Sequence, residues 1–526
     1  MSKIKQDNLT ATIDDSAIFL PSISSFYVNY ISKQRHEEYV KESRIPFANG
    51  MEALNFFNED EGNFHYKWAL YSAGHASLDC DKLAPHETMI HERDRSTSWL
   101  LGDSGGFQIA KGVWEGDWKN PDCSKADKKR KQVLRWLDTH MDYSMVLDIP
   151  AWCRRIPGAS EKNGIWTFQD AVDGTMFNHD YFMEHRKGVA NGGTKFLNVL
   201  QGENHAESDE WYATFKKYCD PKEYPDTHFD GWAFGGQNMC DLHLAIRRIV
   251  DMHFDGLLQE GVHDVIHLLG MSKMEWALVC SDLQRAIRRH YNPSLMLTFD
   301  AASPFLATAN ARIYTGLNSG HRKKWTFGAE VSVDDKKYSN DNRKYSDVVV
   351  NEGWYRKFVD SPITEECTIK DICTYKPGDL NKQGNEGKTS WDSFSYCIQM
   401  GHNVWTFCDS LKRANAEYKA GSIPKMLISK SAVDDATIPD VLDMVFSCDK
   451  REDAHAIADH YSRLWMQVVG SRGYTGNRQI NASGQFTKFF NEVENDEPAP
   501  IQTPQTDKLE ALEETVTEST FSTLFK

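Results

Sequence analysis

The sequence predicts an α/β protein, a closed (β/α)8 barrel of the TIM type with an N-terminal cap and a C-terminal helical extension. Two observations lead there. Six short apolar or β-branched runs, SWLLGDSGG, YSMVLDIPA, KFLNVLQGE, DGWAFGGQN, VIHLLGMSK and LMLTFDAAS, each end in a small, polar or acidic residue. Those ends fall at Asp103, Asp148, Gln201, Gly235, Gly270 and Asp300, at intervals of 45, 53, 34, 35 and 30 residues. A strand, a helix and two connecting loops need about 30 residues or more, so the intervals suit successive βα units with two insertions. A closed barrel gathers chemistry from many strand ends, whereas an open doubly wound sheet concentrates it at one switch point. Six such ends favour the barrel, with the open sheet as the alternative.

In chain order, residues 1–60 mix polar stretches with an apolar run from Ile18 to Ile31 and read as an irregular cap. Residues 61–424 carry the barrel. Within it, Val133, Leu134, Leu137 and Met141 recur at three- and four-residue steps and predict a helix over Lys128–Met141. Beyond residue 424 the pattern changes. Ala454, Ile457, Ala458, Tyr461, Leu464, Trp465 and Val468 form one stripe of a helix over Glu452–Val469, with Gly470 as its stop. Residues 425–491 thus read as a helical region whose last part, 471–491, holds Arg472, Arg478, Lys488 and four aromatic residues without an acid. The tail, 492–526, carries nine acidic residues against two lysines and reads as disordered.

Composition narrows the function classes. At 526 residues and 40% hydrophobic content the chain can bury a large core, and no run approaches the about 18 apolar residues of a membrane span. The N-terminus lacks the apolar core of a secretion signal, and eleven cysteines without a repeating framework suit a reducing compartment, hence a cytoplasmic protein. A net charge of −16 argues against coating nucleic acid through overall charge and leaves room for a local basic groove.

Three strand-end aspartates are the main chemical candidates. Asp103 opens Asp-Ser-Gly-Gly-Phe-Gln, where Ser104 adds a donor and Gly105 and Gly106 allow backbone to approach a flat ligand. The structural alternative is an Asx-turn. Asp300 ends LMLTFD, and a carboxylate at the end of a hydrophobic strand is costly to bury unless paired. A helix N-cap, or an ion pair with Arg312, is its structural alternative. Asp148 has the same two readings. Three such ends in one barrel would converge on one pocket, which favours carboxylate chemistry.

Taken in order, DSGGFQ, QG after a strand, FDGWAFGG, LLGMS and TFDAASPFLATANARIYTG resemble the queuine/archaeosine tRNA-guanine transglycosylase family over roughly residues 95–320, with a weaker continuation through GHNVWTF. The resemblance implies a (β/α)8 barrel that exchanges guanine in a nucleic acid for a 7-deazaguanine base through an aspartyl–sugar intermediate, with no cofactor needed for the chemistry. It implies Asp300 as nucleophile and Asp103 as acid–base residue. It also implies base recognition by Ser104, Gly105, Asp148, Gln201, the Gly235–Gly236 turn and the segment from Leu269 to Met271.

The family's zinc motif is altered here. Cys367, Cys373, Cys397 and His402 are the remaining candidates for a structural zinc, in a degenerate subdomain over 366–402. This departure, with the extra C-terminal region, points to a divergent branch similar to the phage-encoded DNA-guanine transglycosylases, acting in the host cytoplasm. DNA is then the expected partner and tRNA the alternative, and a non-catalytic accessory barrel is the rival from another class. The oligomeric state is left open, a homodimer included. Candidate strand contacts are Arg322, Lys323, Lys324 and Arg312, with the run Lys128, Lys129, Arg130 and Lys131 and the segment 471–491 as further basic clusters.

Overall fold

The computed structural model describes residues 7–9, 15–188, 190–235, 241–271, 274–320, 325–347, 360–375, 390–422, 427 and 434–469. Eight parallel strands form one sheet: β1 (Ile18–Pro21), β2 (Trp68–Ser72), β3 (Trp99–Asp103), β4 (Tyr143–Met145), β5 (Lys195–Leu200), β6 (Gly231–Phe234), β7 (Val265–Leu268) and β8 (Met296–Ala301). Each of β2 to β7 pairs with the next strand in sequence, and β8 pairs with β1. A parallel bridge between Ser22 and Leu70 joins β1 to β2 and closes the ring. The architecture is a TIM-like barrel.

All six expected runs are barrel strands. The cap expected over residues 1–60 needs correction, because Ile18–Pro21 is the first barrel strand and the barrel begins there rather than at residue 61. That strand is only four residues long, and its apolar run passes almost directly into helix α1 (Ser25–Gln34), so the change of period is lost in the sequence. Strand β2 was likewise not among the six runs.

The outer layer consists of α1, α2 (Ser124–His140), α3 (Phe168–His185), α4 (His205–Phe215), α5 (Leu242–Phe254) and α6 (Met274–His290). Local chemistry starts several of them. Thr167 and Asp170 form a capping box on α3, Asn204 caps α4, and the Asp241 carboxylate accepts the Leu244 N–H at the start of α5. Helix α2 matches the periodicity, with Val133, Leu134 and Leu137 buried and Met141 just past its end. After β8 the chain forms an antiparallel ribbon, β9 (Arg312–Asn318) and β10 (Thr326–Val331), then the long helix α7 (Ser393–Lys419), which packs against α1, α6 and the ribbon.

The expected C-terminal helix is two helices, α9 (Arg451–His460) and α10 (Ser462–Val469), broken at Tyr461. With α8 (Ile438–Phe446) they lie on α5 and α6. Gly470 and residues 471–526 lie outside the described residues.

Side chains alternate across each strand, so every second residue faces the barrel interior. Ile18, Leu20, Leu70, Leu101, Met145, Leu197, Val199, Ala233 and Val265 fill it as one apolar cluster. A second, larger cluster lies between the strands and the helices. The inner plug makes the barrel a floor, and the chemistry can only stand on top of it.

Candidate active site

One step above the plug, the same alternation puts Ser22, Ser72, Asp103, Gln201, Gly235 and Asp300 at the C-terminal mouth. Asp300 is 7% exposed. Its Oδ2 accepts the Ser22 hydroxyl at 2.6 Å, and its Oδ1 accepts the Gly270 N–H at 2.7 Å, with His267 Nε2 3.3 Å from the same oxygen. Both structural alternatives therefore fail. Ala302, not Asp300, precedes the following helix Ser303–Ala309, and the carboxylate is held by Ser22, Gly270 and His267 rather than by Arg312. Hydroxyl and amide donors offset the cost of burying a carboxylate and aim it without a cation to neutralise it.

Across the mouth, Ser72 stands opposite Asp103 in register and donates to its Oδ2 at 2.6 Å, while Asp103 Oδ1 accepts the Gly105 N–H at 3.3 Å. The Asx-turn is thus real and leaves the carboxyl at the mouth. Burial raises the Asp103 pKa, the Asp300 charge raises it further, and the Ser72 and Gly105 bonds oppose the rise. Asp148 lies three residues beyond β4, 6% exposed, and accepts Gln201 Nε2 at 2.7 Å. Its pKa is pushed up to about 7, chiefly by burial, with a contribution from the Asp103 charge. The structure thus holds three carboxyl groups in one mouth, two of them biased toward the protonated form. The Gln201 amide spends its N–H on Asp148, and its Oε1 is buried without a hydrogen-bond partner. That carbonyl is an open acceptor for a ligand N–H.

The glycines of the Asp103 loop serve packing. Gly105 has φ 84°, and a Cβ there would lie 2.4 Å from the Trp114 ring. A Cβ on Gly106 would lie 2.6 Å from the Asp148 carbonyl oxygen, so the absent side chain lets the loops bearing Asp103 and Asp148 meet. Gly235 is equally close to Gln201, where a Cβ would lie 2.8 Å from its Nε2.

Several expected site residues are placed differently. Ser104 faces away from the mouth, buried, and its hydroxyl donates to the Val146 carbonyl at 3.1 Å, because alternation puts it on the opposite side from Asp103. Leu269 is half-buried against the inner plug. Met271 instead joins the outer core, with its sulfur 4.0 Å from Cys280 Sγ in α6. Gly270 between them has φ 71°, which breaks the strand alternation. Arg312 begins β9 in the ribbon, half-buried. Gly236, Arg322, Lys323 and Lys324 lie outside the described residues. In the run 128–131, Arg130 is buried with its Nε bonded to Asn178 at 2.7 Å, Lys129 lies over the Trp114 ring, and Lys131 pairs with Asp127.

The expected zinc set is not assembled. Cys367 donates to the Ile363 carbonyl, Cys373 to the Val333 carbonyl, and Cys397 is buried on α7. His402 bonds Ser361 Oγ through Nδ1 and the Tyr314 carbonyl through Nε2, both at 2.9 Å. With Asn403 and Ser410, which accept the Tyr314 and Leu317 N–H groups, it satisfies the free edge of the ribbon. Among the described residues no group of three or more His, Cys, Asp or Glu is arranged to hold a metal ion.

Four contributors were missed in the sequence. Ser22, Ser72 and His267 support the carboxylates, and nothing marks a strand-end serine as special. Phe107, directly after the glycine pair, is 39% exposed with its ring 5.7 Å from Trp152. An aromatic residue left open beside a glycine loop at a barrel mouth was the available signal. Comparison with protein-family models finds no match to this chain, and comparison with curated proteins finds no significant one.

Proposed function

We propose that the protein is a base-exchanging glycosyltransferase that replaces guanine in a nucleic acid with a 7-deazaguanine base. DNA is the leading substrate and tRNA the alternative. The observation that carries the reading is the division of labour at the mouth. Asp300 is oriented by the Ser22 hydroxyl and the Gly270 N–H, while Asp103 and Asp148 are biased toward protonation. The ordered motifs described above supply the choice of substrate.

The steps follow from these groups. An Asp300 oxygen attacks C1′, the C1′–N9 bond breaks, and its electron pair leaves with guanine, which takes a proton from the Asp103 carboxyl. The incoming base then gives its N9 proton to the Asp103 carboxylate and attacks C1′ as the ester bond to Asp300 breaks. Two inversions give retention. The Gln201 Oε1 acceptor and the Asp148 carboxyl fit the N–H edge of a guanine-like base, and the exposed Phe107 offers a ring for it to contact. An N-glycosidic bond replaces another, so the exchange requires no energy donor.

The test is covalent trapping. Wild-type protein incubated with guanine-containing DNA or tRNA should give a denaturant-stable adduct on one of them, and labelled 7-deazaguanine should enter that nucleic acid. Asp300→Asn should give no adduct, and Asp103→Asn should lose exchange while still binding the strand. An adduct formed by Asp300→Asn, or no incorporation into either nucleic acid by the wild type, overturns the reading.

A further inference from the structure

The inward layer directly beneath the carboxylates is apolar on five strands, at Leu20, Leu70, Leu101, Val199 and Ala233. On β7 and β8 it is polar. His267 and Thr298 occupy these positions, both fully buried, with His267 Nδ1 2.9 Å from Thr298 Oγ1. A buried polar pair inside an aliphatic plug costs free energy unless its groups are satisfied, and the His267 ring is satisfied on one side only. Its Nε2 has no aligned hydrogen bond but lies 3.3 Å from Asp300 Oδ1. A Thr298 hydroxyl that donates to Nδ1 leaves the ring proton on Nε2, 3.3 Å from Asp300 Oδ1 and not aligned on it in the resting site.

We infer that His267 is a positioning residue for Asp300 that governs how fast the covalent intermediate is resolved. This rests on the base-exchange reading. In the intermediate, one Asp300 oxygen is esterified to C1′ and the carboxyl group has lost its charge. When the incoming base attacks, the C1′–O bond breaks, its electron pair returns to Asp300, and full negative charge reappears above the His267 N–H. A donor within reach of that charge is worth more as the bond breaks than in the neutral ester, so it speeds departure of the carboxylate. The Gly270 N–H, a backbone group, reaches the same oxygen, and the Ser22 hydroxyl reaches the other. His267 is the side-chain donor on the Gly270 side of the carboxylate.

Without the donor, Asp300 becomes a worse leaving group. The substitution His267→Leu places an aliphatic side chain in an aliphatic layer, and His267→Gln keeps an N–H. Thr298→Val removes the hydroxyl that sets the tautomer. Adduct fraction and exchange rate are read together on the full chain with a guanine-containing strand and the 7-deazaguanine base. His267→Leu should accumulate adduct while exchange falls about 10- to 100-fold, the range of a lost donor to developing charge. His267→Gln should recover part of the rate, and Thr298→Val should lie between wild type and His267→Leu.

A purely structural role would lower adduct and exchange together, with no recovery by His267→Gln, and that outcome overturns the inference, as does unchanged partitioning in His267→Leu. Should His267→Leu fail to fold, Thr298→Val decides by the same ratio. Failure of the wild type to form any adduct instead refutes the base-exchange reading itself.

Discussion

Replacing Asp148 by Asn tests the electrostatics of the mouth through stability alone. Asp148 is 6% exposed, and its pKa rises from the ordinary 3.8 to about 7 in the folded protein. A raised folded pKa means that the native state holds its proton more tightly than the unfolded chain. The stabilisation is complete below about pH 4 and is lost as the pH climbs through 7. At about 1.4 kcal/mol per tenfold change, the whole interval corresponds to ~4 kcal/mol, of which about 2.6 kcal/mol falls between pH 5 and pH 8. Asparagine does not titrate, is nearly isosteric, and can still accept the Gln201 N–H through its carbonyl. Asp148→Asn should therefore gain stability relative to wild type by about 2–3 kcal/mol between pH 5 and pH 8. Urea unfolding of both proteins at pH 5, 6.5 and 8 measures this difference, and other titrating groups largely cancel in it. Parallel profiles would show that Asp148 is ionised in the folded protein across this range and would refute the reasoning.

Gly105→Ala should destabilise by more than ~2 kcal/mol, since a left-handed φ and a clash with Trp114 add together. Thermal unfolding reads the loss, and exchange should fall with it because Gly105 anchors Asp103. Arg44 binds Asp392 through two bonds of 2.7 and 2.8 Å and also reaches the Asp371 carbonyl, tying the N-terminal segment to α7. Arg44→Met should cost ~3–5 kcal/mol in denaturant titrations by stranding the buried Asp392, and the double variant Arg44→Met, Asp392→Leu should recover much of that loss.

The parts of the fold that could be read in advance share a physical cause. Strands ending in an acid announce themselves, because the apolar run buries on both faces and the last inward residue stands at the mouth. Strands β3 and β8 are of that kind, and their final acids Asp103 and Asp300 are the residues on which the site turns. Strand β1 is not, since its apolar run passes almost directly into α1 and Ser22 carries no mark of its role. Its contact with Asp300 spans 278 positions and can be seen only once the ring is closed. The cysteines are the opposite case. Cys367, Cys373, Cys397 and His402 carry the chemistry of a zinc site, but here the thiols lie buried in core packing and the imidazole satisfies the ribbon edge. Ser104 and Met271 were misassigned by one step of alternation, which motif spelling does not record.

Closure of the ring by β1 has a consequence for how the protein comes to be active. The strand that carries Ser22 is synthesised first and must wait for β8, almost three hundred residues later, before it has its second neighbour. Contacts of such long separation form late in folding, after shorter-range βα units have docked. Asp300 therefore gains its Ser22 bond in the same event that seals the barrel. A nascent or truncated chain can contain every carboxylate of the site and still lack the Ser22 bond to Asp300, so the site is incomplete until the whole barrel has been made.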